Sequence, residues 1–165
     1  MKIFGHSVHP VLIVFPLGLF TGAVVFDVVH MLGGASVFAV VAYWMIVAGL
    51  IGGLLAAVFG WIDWLGIPSE TRAKSVGLAH GLVNSGVMLL FAVSFYLRMG
   101  LPERPPTAAS LISIAGVALA LVGGWLGGEL VERLGVGVHR GANANAPSSL
   151  ETDVIVQHSH EAKKI

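Results

Sequence analysis

The stretch that decides the fold is residues 37–60, VFAVVAYWMIVAGLIGGLLAAVFG, which contains no charged residue. A helix needs about 20 consecutive apolar residues to cross the hydrocarbon core of a bilayer, and this stretch exceeds that length. Ser36 precedes it as the predicted N-cap. Trp61, Asp63 and Trp64 follow it, and paired tryptophans are typical of the membrane–water interface. The stretch therefore predicts a membrane-spanning helix.

A second apolar stretch lies nearer the N-terminus and runs from Val11 to Phe26, with extension to His9 and Met31. Pro16 lies inside it and is expected to kink the helix. A secretory signal peptide is the competing interpretation, because Lys2 precedes the apolar run. No cleavage site of small residues follows, so we expect an uncleaved span.

Two more spans are predicted after the uncharged stretch, at Val76–Leu97 and at Ala108–Gly128. Thr107 is the predicted N-cap of the last span and Glu129 its predicted end. A Gly33-Gly34 turn separates the first two spans, a polar loop precedes the third, and Pro105, Pro106 and Thr107 precede the fourth. The sequence therefore predicts an all-α, integral-membrane four-helix bundle in up-down-up-down order.

The composition supports a membrane protein and excludes several other classes. Hydrophobic residues make up 56% of the 165 residues and charged residues 11%, with a mean hydropathy of +0.87. A soluble domain carries about 25% charged residues. The formal net charge of +0 gives no field to attract nucleic acid. The long apolar stretches make the lipid bilayer the predicted partner. Since there is no cysteine, any metal must be held by His, Asp or Glu.

The distribution of Lys and Arg predicts the orientation in the membrane. The side that holds both termini carries most of these residues, and the other side carries only Arg98 and Arg104. Both termini are therefore expected in the cytoplasm, with the chain in the bacterial inner membrane as a multi-pass protein. The composition becomes polar after Arg140, which divides the chain into a membrane domain, 1–140, and a tail, 141–165, expected to be disordered.

Four ionisable residues are predicted to lie at the cytoplasmic end of the bundle: His9, Asp63, His80 and Glu129. Their N and O donors suit a divalent metal such as iron, zinc or manganese. Alternatively, His9 and His80 are the two imidazoles that a b-type heme requires between helices, with Asn84 one turn from His80 to orient a ligand. Both alternatives stay open.

At the opposite end, Asp27 and His30 share a helix face, which predicts a local Asp–His pair. The sequence also shows a faint internal repeat, because each pair of spans starts with a histidine and ends with an acid near a tryptophan. Gly60–Asp63 and Gly124–Glu129 are the segments compared. Such a repeat would put a site between two halves of the bundle.

Taken together, the motifs resemble a bacterial family of predicted membrane proteins, domain of unknown function 2231, over residues 5 to about 140. The order and spacing of short signatures carry the resemblance: His9-Pro10 with Phe15-Pro16-Leu17-Gly18; Asp27; Gly60 with Asp63-Trp64 and Ile67-Pro68; His80 with Asn84; and Gly127-Gly128-Glu129-Leu130-Val131 with Gly135-Val136-Gly137-Val138. The chain departs from the family at Glu132 and Leu134, where the family often has an aromatic residue and a histidine or aromatic residue.

The resemblance implies functional positions at His9, Asp63, His80, Asn84 and Glu129. Relatives fused to Rieske-type or cytochrome-like modules imply a redox setting.

Three functions follow as hypotheses. The first is a heme- or metal-binding protein of membrane electron transfer with redox partners in the membrane. The second is a non-enzymatic accessory or scaffolding subunit, in which glycine-rich helices pack against partners or a second copy. The third is a small transporter. No hydrolase elbow, P-loop or zinc-protease motif is present in the sequence, which gives no indication of an enzyme.

Overall fold

The computed structural model describes residues 2–3, 6–139 and 141–149, and most of the predicted tail lies outside them. The elements in chain order are β1 (Lys2–Ile3), β2 (His6–Ser7), α1 (Val8–Leu12), α2 (Val14–Met31), α3 (Ser36–Leu65), α4 (Arg72–Arg98), α5 (Thr107–Gly128) and a π-helical turn (Glu129–Arg133). β1 and β2 form a two-stranded antiparallel pair.

The described residues contain four helices long and apolar enough to cross a membrane: Val8–Met31, Ser36–Leu65, Arg72–Arg98 and Thr107–Arg133. Consecutive helices form two hairpins, α2 with α3 and α4 with α5, and the hairpins join through α3 with α4 and α2 with α5. The predicted all-α four-helix bundle is confirmed. Large apolar side chains such as Trp44, Leu54 and Leu89 are more than half exposed, as expected of surfaces that face lipid.

Proline interrupts the first span as predicted. The helix breaks at Ile13, between α1 and α2, three residues before Pro16. Pro16 has no backbone N–H to donate to the carbonyl of Leu12, and its ring crowds that carbonyl. The break separates the short α1, which carries His9, from the longer α2.

Two predicted helix starts are wrong, by one residue for α3 and by four residues for α4. Ser36 is the first residue of α3 rather than its cap, and the capping position is Ala35. α4 begins at Arg72, four residues before the predicted start, because the Thr71 hydroxyl accepts a hydrogen bond from Lys74 N at 3.1 Å. A threonine cap extends a helix into a polar segment that hydropathy assigns to a loop.

The predicted ends of the last span also need correction. Thr107 is the first helical residue and Pro106 the cap. The helix does not stop at Glu129 but continues through a π-helical turn to Arg133. Gly135 follows the last helical turn with φ +65°, and Val136 N donates to Leu130 O at 2.8 Å. A glycine in the left-handed conformation commonly terminates a helix in this way, because it lets the chain turn back onto the last free carbonyls.

The centre of the bundle is built from two phenylalanines that pack over glycines. Phe20 and Phe91 stack with ring centroids 3.8 Å apart and planes 6° from parallel. A Cβ on Gly49 would lie 2.5 Å from the Phe20 ring, and a Cβ on Gly116 would lie 2.7 Å from the Phe91 ring. Glycine at these two positions lets the aromatic pair approach the helix backbones, since a side chain there would push the rings out of place.

Candidate functional site

His9 lies on α1 and is held against α3. Its Nδ1 lies 2.8 Å from the carbonyl oxygen of Ala56. Gly60, one turn further along α3, provides room for the ring, since a Cβ there would lie 2.8 Å from His9 Cε1. Because a carbonyl oxygen only accepts hydrogen bonds, Nδ1 carries the proton.

His80 lies on α4 and is held against α5 in the same way. Its Nδ1 lies 3.0 Å from the carbonyl oxygen of Gly123. Gly127, one turn further along α5, provides room, since a Cβ there would lie 3.2 Å from His80 Cε1. Both histidines therefore donate through Nδ1, which leaves Nε2 of each ring as the atom with a lone pair.

The two rings face one another across the bundle. Their centroids are 6.3 Å apart and their planes are nearly perpendicular, at 88°. Backbone carbonyls fix each ring through Nδ1, which is also how proteins orient histidines that coordinate metals through Nε2.

Both histidines line one cavity of about 320 Å³ between the helices. Its wall is largely apolar and includes several glycines, contributed by α3, α4 and α5: Gly53, Gly60, Gly77, Gly81, Gly123 and Gly124. Leu17 and Leu54 also line it and are 52% and 63% exposed, so the cavity opens on the surface that faces lipid. Its shape suits a ligand that is mostly apolar.

Asn84 lines the same cavity, one helical turn from His80. Its Nδ2 donates to the backbone carbonyl of His80 at 2.8 Å and lies 3.3 Å from Nε2 of the same ring. A Cβ on Gly123 would lie 2.8 Å from Asn84 Oδ1, so the amide fills the space that glycine leaves on α5.

The two acids predicted at this end lie apart from the cavity wall. Glu129 Oε1 accepts a hydrogen bond from the Arg72 guanidinium at 2.6 Å, and Asp63 lies partly buried near the end of α3. Within the described part of the chain, no three His, Asp or Glu side chains are placed to hold one metal ion. The set His9, Asp63, His80 and Glu129 is therefore not assembled as a four-ligand metal site.

Arg98 occupies a position that the sequence analysis missed. The Lys and Arg distribution places Arg98 outside the membrane, but its side chain is fully buried and forms a two-pronged ion pair with Asp27. Its two terminal nitrogens donate to the two Asp27 oxygens at 2.7 and 2.5 Å. Ser94 and Ser113 accept its remaining hydrogen bonds at 3.2 Å.

This pairing replaces the expected local contact between Asp27 and His30. Both carboxylate oxygens of Asp27 accept from Arg98, whereas His30 Nδ1 is buried with no hydrogen-bond partner in the described structure. A guanidinium offers two parallel donors to a carboxylate, and an imidazole on the same helix does not.

Three pairs of residues that meet across the bundle have the same separation in sequence. His9 and His80, Phe20 and Phe91, and Asp27 and Arg98 are each 71 residues apart. Residues that contact their own equivalents in a second repeat lie on a two-fold axis. The bundle is therefore built from two related hairpins, and the histidine cavity lies where they meet.

The partners of these residues on α3 and α5 repeat with a separation of 67. Gly49 and Gly116 face the two phenylalanines, and Ala56 and Gly123 accept from the two histidines. These separations support the internal repeat, and they align Gly60 with Gly127 and not with Gly124. The common separation of 71 was the sequence signal that could have paired Asp27 with Arg98.

Comparison with known proteins places the chain in a family. No curated protein and no solved structure matches it significantly. The model of a family described as predicted membrane protein, DUF2231, matches residues 5–140. The match spans most of the chain, including both histidines, the buried ion pair and all four long helices. The chain belongs to the DUF2231 family of predicted membrane proteins.

Proposed function

We propose that this membrane protein binds a b-type heme between His9 and His80 and transfers electrons within the bacterial inner membrane. The observation that carries the proposal is the pair of imidazoles, each held by a backbone carbonyl through Nδ1 and each lining one apolar cavity. Heme would supply one-electron transfer at this position.

The separation of the rings supports a single bound iron. The ring centroids of His9 and His80 are 6.3 Å apart, so the two imidazoles would be close enough to hold one metal ion between them through Nε2. Each half of the bundle contributes one ring, which suits a flat ligand with two equivalent faces.

The absence of further ligands favours heme over a non-heme metal. A protein site for iron, zinc or manganese takes three or more protein ligands, and the described residues provide no such group. A heme iron receives four ligands from the porphyrin and needs only two from the protein. The glycines that line the cavity leave space for a flat ring against the helix backbones.

Two cations lie at the same end of the bundle as the histidines. Lys74 Nζ donates to Trp64 O at 2.8 Å and lies 3.9 Å above the indole ring, and Arg72 pairs with Glu129. These are the side chains that would meet the carboxylates of a heme near the membrane surface. We propose that this surface is cytoplasmic, because the sequence assigns more Lys and Arg to this side of the spans than to the other.

The proposal is tested by expressing the protein in bacterial membranes with heme supplied, extracting it in mild detergent and recording its absorption spectrum. We expect a Soret band and the spectrum of a low-spin heme with two histidine ligands. Changing His9 or His80 to alanine should remove bound heme while the helical content stays.

His30→Ala is the matched control, because His30 is a part-buried histidine of the same bundle that does not line the cavity. This variant should keep the spectrum. A protein that takes up no heme, or one whose spectrum survives loss of both His9 and His80, would contradict the proposal and favour a scaffolding role.

A further inference from the structure

The buried ion pair of Asp27 and Arg98 joins the two halves at the opposite end of the bundle from the histidines. Asp27 lies on α2 and Arg98 is the last residue of α4. Both side chains are fully buried. α4 carries His80, and α2 directly follows the short α1 that carries His9, so the ion pair links α4 to the helix adjoining α1.

Each half presents one row of residues toward the other. In the first half the row is His9, Phe20 and Asp27, and the same spacing of 11 and then 7 residues recurs in the second half. On α4, eighteen residues correspond to five turns at 3.6 residues per turn, so His80 and Arg98 share a helix face. Each residue of one row lies against its equivalent in the other: the two histidines, the two phenylalanines, and the aspartate with the arginine.

Apolar packing alone fixes the alignment of the two rows along the helix axes only weakly. The stacked rings of Phe20 and Phe91 and the small residues around them make contacts without strong directionality. A slip of one helical turn, about 5 Å, would separate the guanidinium from the carboxylate and leave both charges buried without a partner. The two-pronged geometry tolerates no such slip.

We infer that Asp27 and Arg98 are positioning residues that fix the register of the two halves and thereby set the distance between His9 and His80. This inference rests on the proposed function only where it concerns heme binding. The register of the two halves exists and can be measured whether or not heme is bound.

The surroundings of the pair also determine which half of the bundle holds the arginine and which holds the aspartate. Ser94 and Ser113 accept hydrogen bonds from Arg98, whereas the residues at the equivalent places in the first half are Ala23 and Ile46. Only the second half is therefore built to hold an arginine. Two copies of either half would place like charges against each other, so the pair selects the association of unlike halves.

The test measures the register at the histidine end without using heme. The 165-residue chain has no cysteine, so Val11→Cys and Leu82→Cys provide unique sites for two spin labels. These residues are equivalent in the two halves and are 58% and 59% exposed. Pulsed electron paramagnetic resonance in detergent micelles then gives the distribution of distances between the labels.

The decisive variant is Asp27→Leu combined with Arg98→Met, which removes the pair without leaving a buried charge. We expect the narrow distribution of the parent to broaden or to gain a population displaced by about one helical turn, roughly 5 Å. Glu129→Gln, which breaks a partly exposed ion pair, should leave the distribution unchanged. An unchanged distribution in the Leu/Met variant would overturn the inference.

A charge exchange, Asp27→Arg with Arg98→Asp, tests whether the arginine must lie in the second half. We expect a broader distribution than in the parent, because the new arginine lacks the two hydroxyl acceptors. Adding Ala23→Ser and Ser94→Ala, which transfers one hydroxyl to the first half, should narrow it. If the distance distribution does not narrow, the role assigned to Ser94 in holding the arginine is wrong.

The heme spectrum separates this inference from the proposed function. If the unmodified protein binds no heme, the proposed function fails, yet the label distances still decide whether the ion pair fixes the register. If heme is bound, the Leu/Met variant should lose the spectrum of two histidine ligands in part of the population. A normal spectrum together with normal distances would contradict the inference alone.

Discussion

Removing one member of the buried ion pair should destabilise the bundle far more than removing both. In Asp27→Leu, Arg98 stays fully buried and loses its two charge-assisted hydrogen bonds, while those to the serines remain. Such bonds contribute about 1.5–3 kcal/mol each, and an uncompensated buried charge costs about 3–5 kcal/mol. We therefore expect about 3–5 kcal/mol for Asp27→Leu or Arg98→Met alone, and a much smaller loss for the double variant.

The assay is a double-mutant cycle on the free energy of unfolding, measured by reversible denaturation in mixed detergent micelles. Since the coupling is the sum of the two single losses less the loss in the double variant, we expect at least about 5 kcal/mol between Asp27 and Arg98. The matched cycle uses Arg72 and Glu129, whose side chains are 62% and 19% exposed, and should give about 0–1 kcal/mol. A coupling energy for the buried pair no larger than that of the exposed pair would refute the reasoning.

Further variants test packing, capping, topology and the tail. Gly116→Ala should cost about 1–3 kcal/mol of unfolding free energy because its Cβ meets a buried phenylalanine, whereas Gly18→Ala, with no atom within 4 Å, should cost nothing measurable. Thr71→Ala should cost about 1 kcal/mol in the same assay by removing the cap of α4. Reporter fusions at Gly100 and at the C-terminus should report opposite compartments, and agreement between them would reject the topology. Truncation after Arg140 should leave thermal unfolding in micelles unchanged, since the removed segment has little apolar surface, and a lowered midpoint would show otherwise.

The sequence by itself determined the class of protein and the number of spans. Long uncharged stretches such as residues 37–60 have one favourable state in lipid, a helix with all its backbone hydrogen bonds made internally. The same local reasoning correctly placed the interruption near Pro16 and predicted His9, His80 and Asn84 near one end of the bundle, where they line one cavity. These features depend on composition and on position along a helix, which the sequence states directly.

Local patterns gave poorer answers where a helix end depends on hydrogen bonds rather than hydropathy. The Thr71 cap starts α4 inside a polar segment, and Gly135 ends the last span well beyond Glu129. Hydropathy assigns such polar turns to loops because it does not count the backbone donors and acceptors that a cap satisfies.

Only the tertiary structure decided which polar groups meet. Arg98 has the composition and position of a loop cation, and Asp27 has a histidine three residues away, yet the two form a buried pair across the bundle. Glu129 pairs with Arg72 and leaves the histidines without a third ligand among the described residues. Partners 71 residues apart are brought together by the way two related hairpins pack, and the free energy of burying a charge depends on that packing and not on the neighbouring sequence.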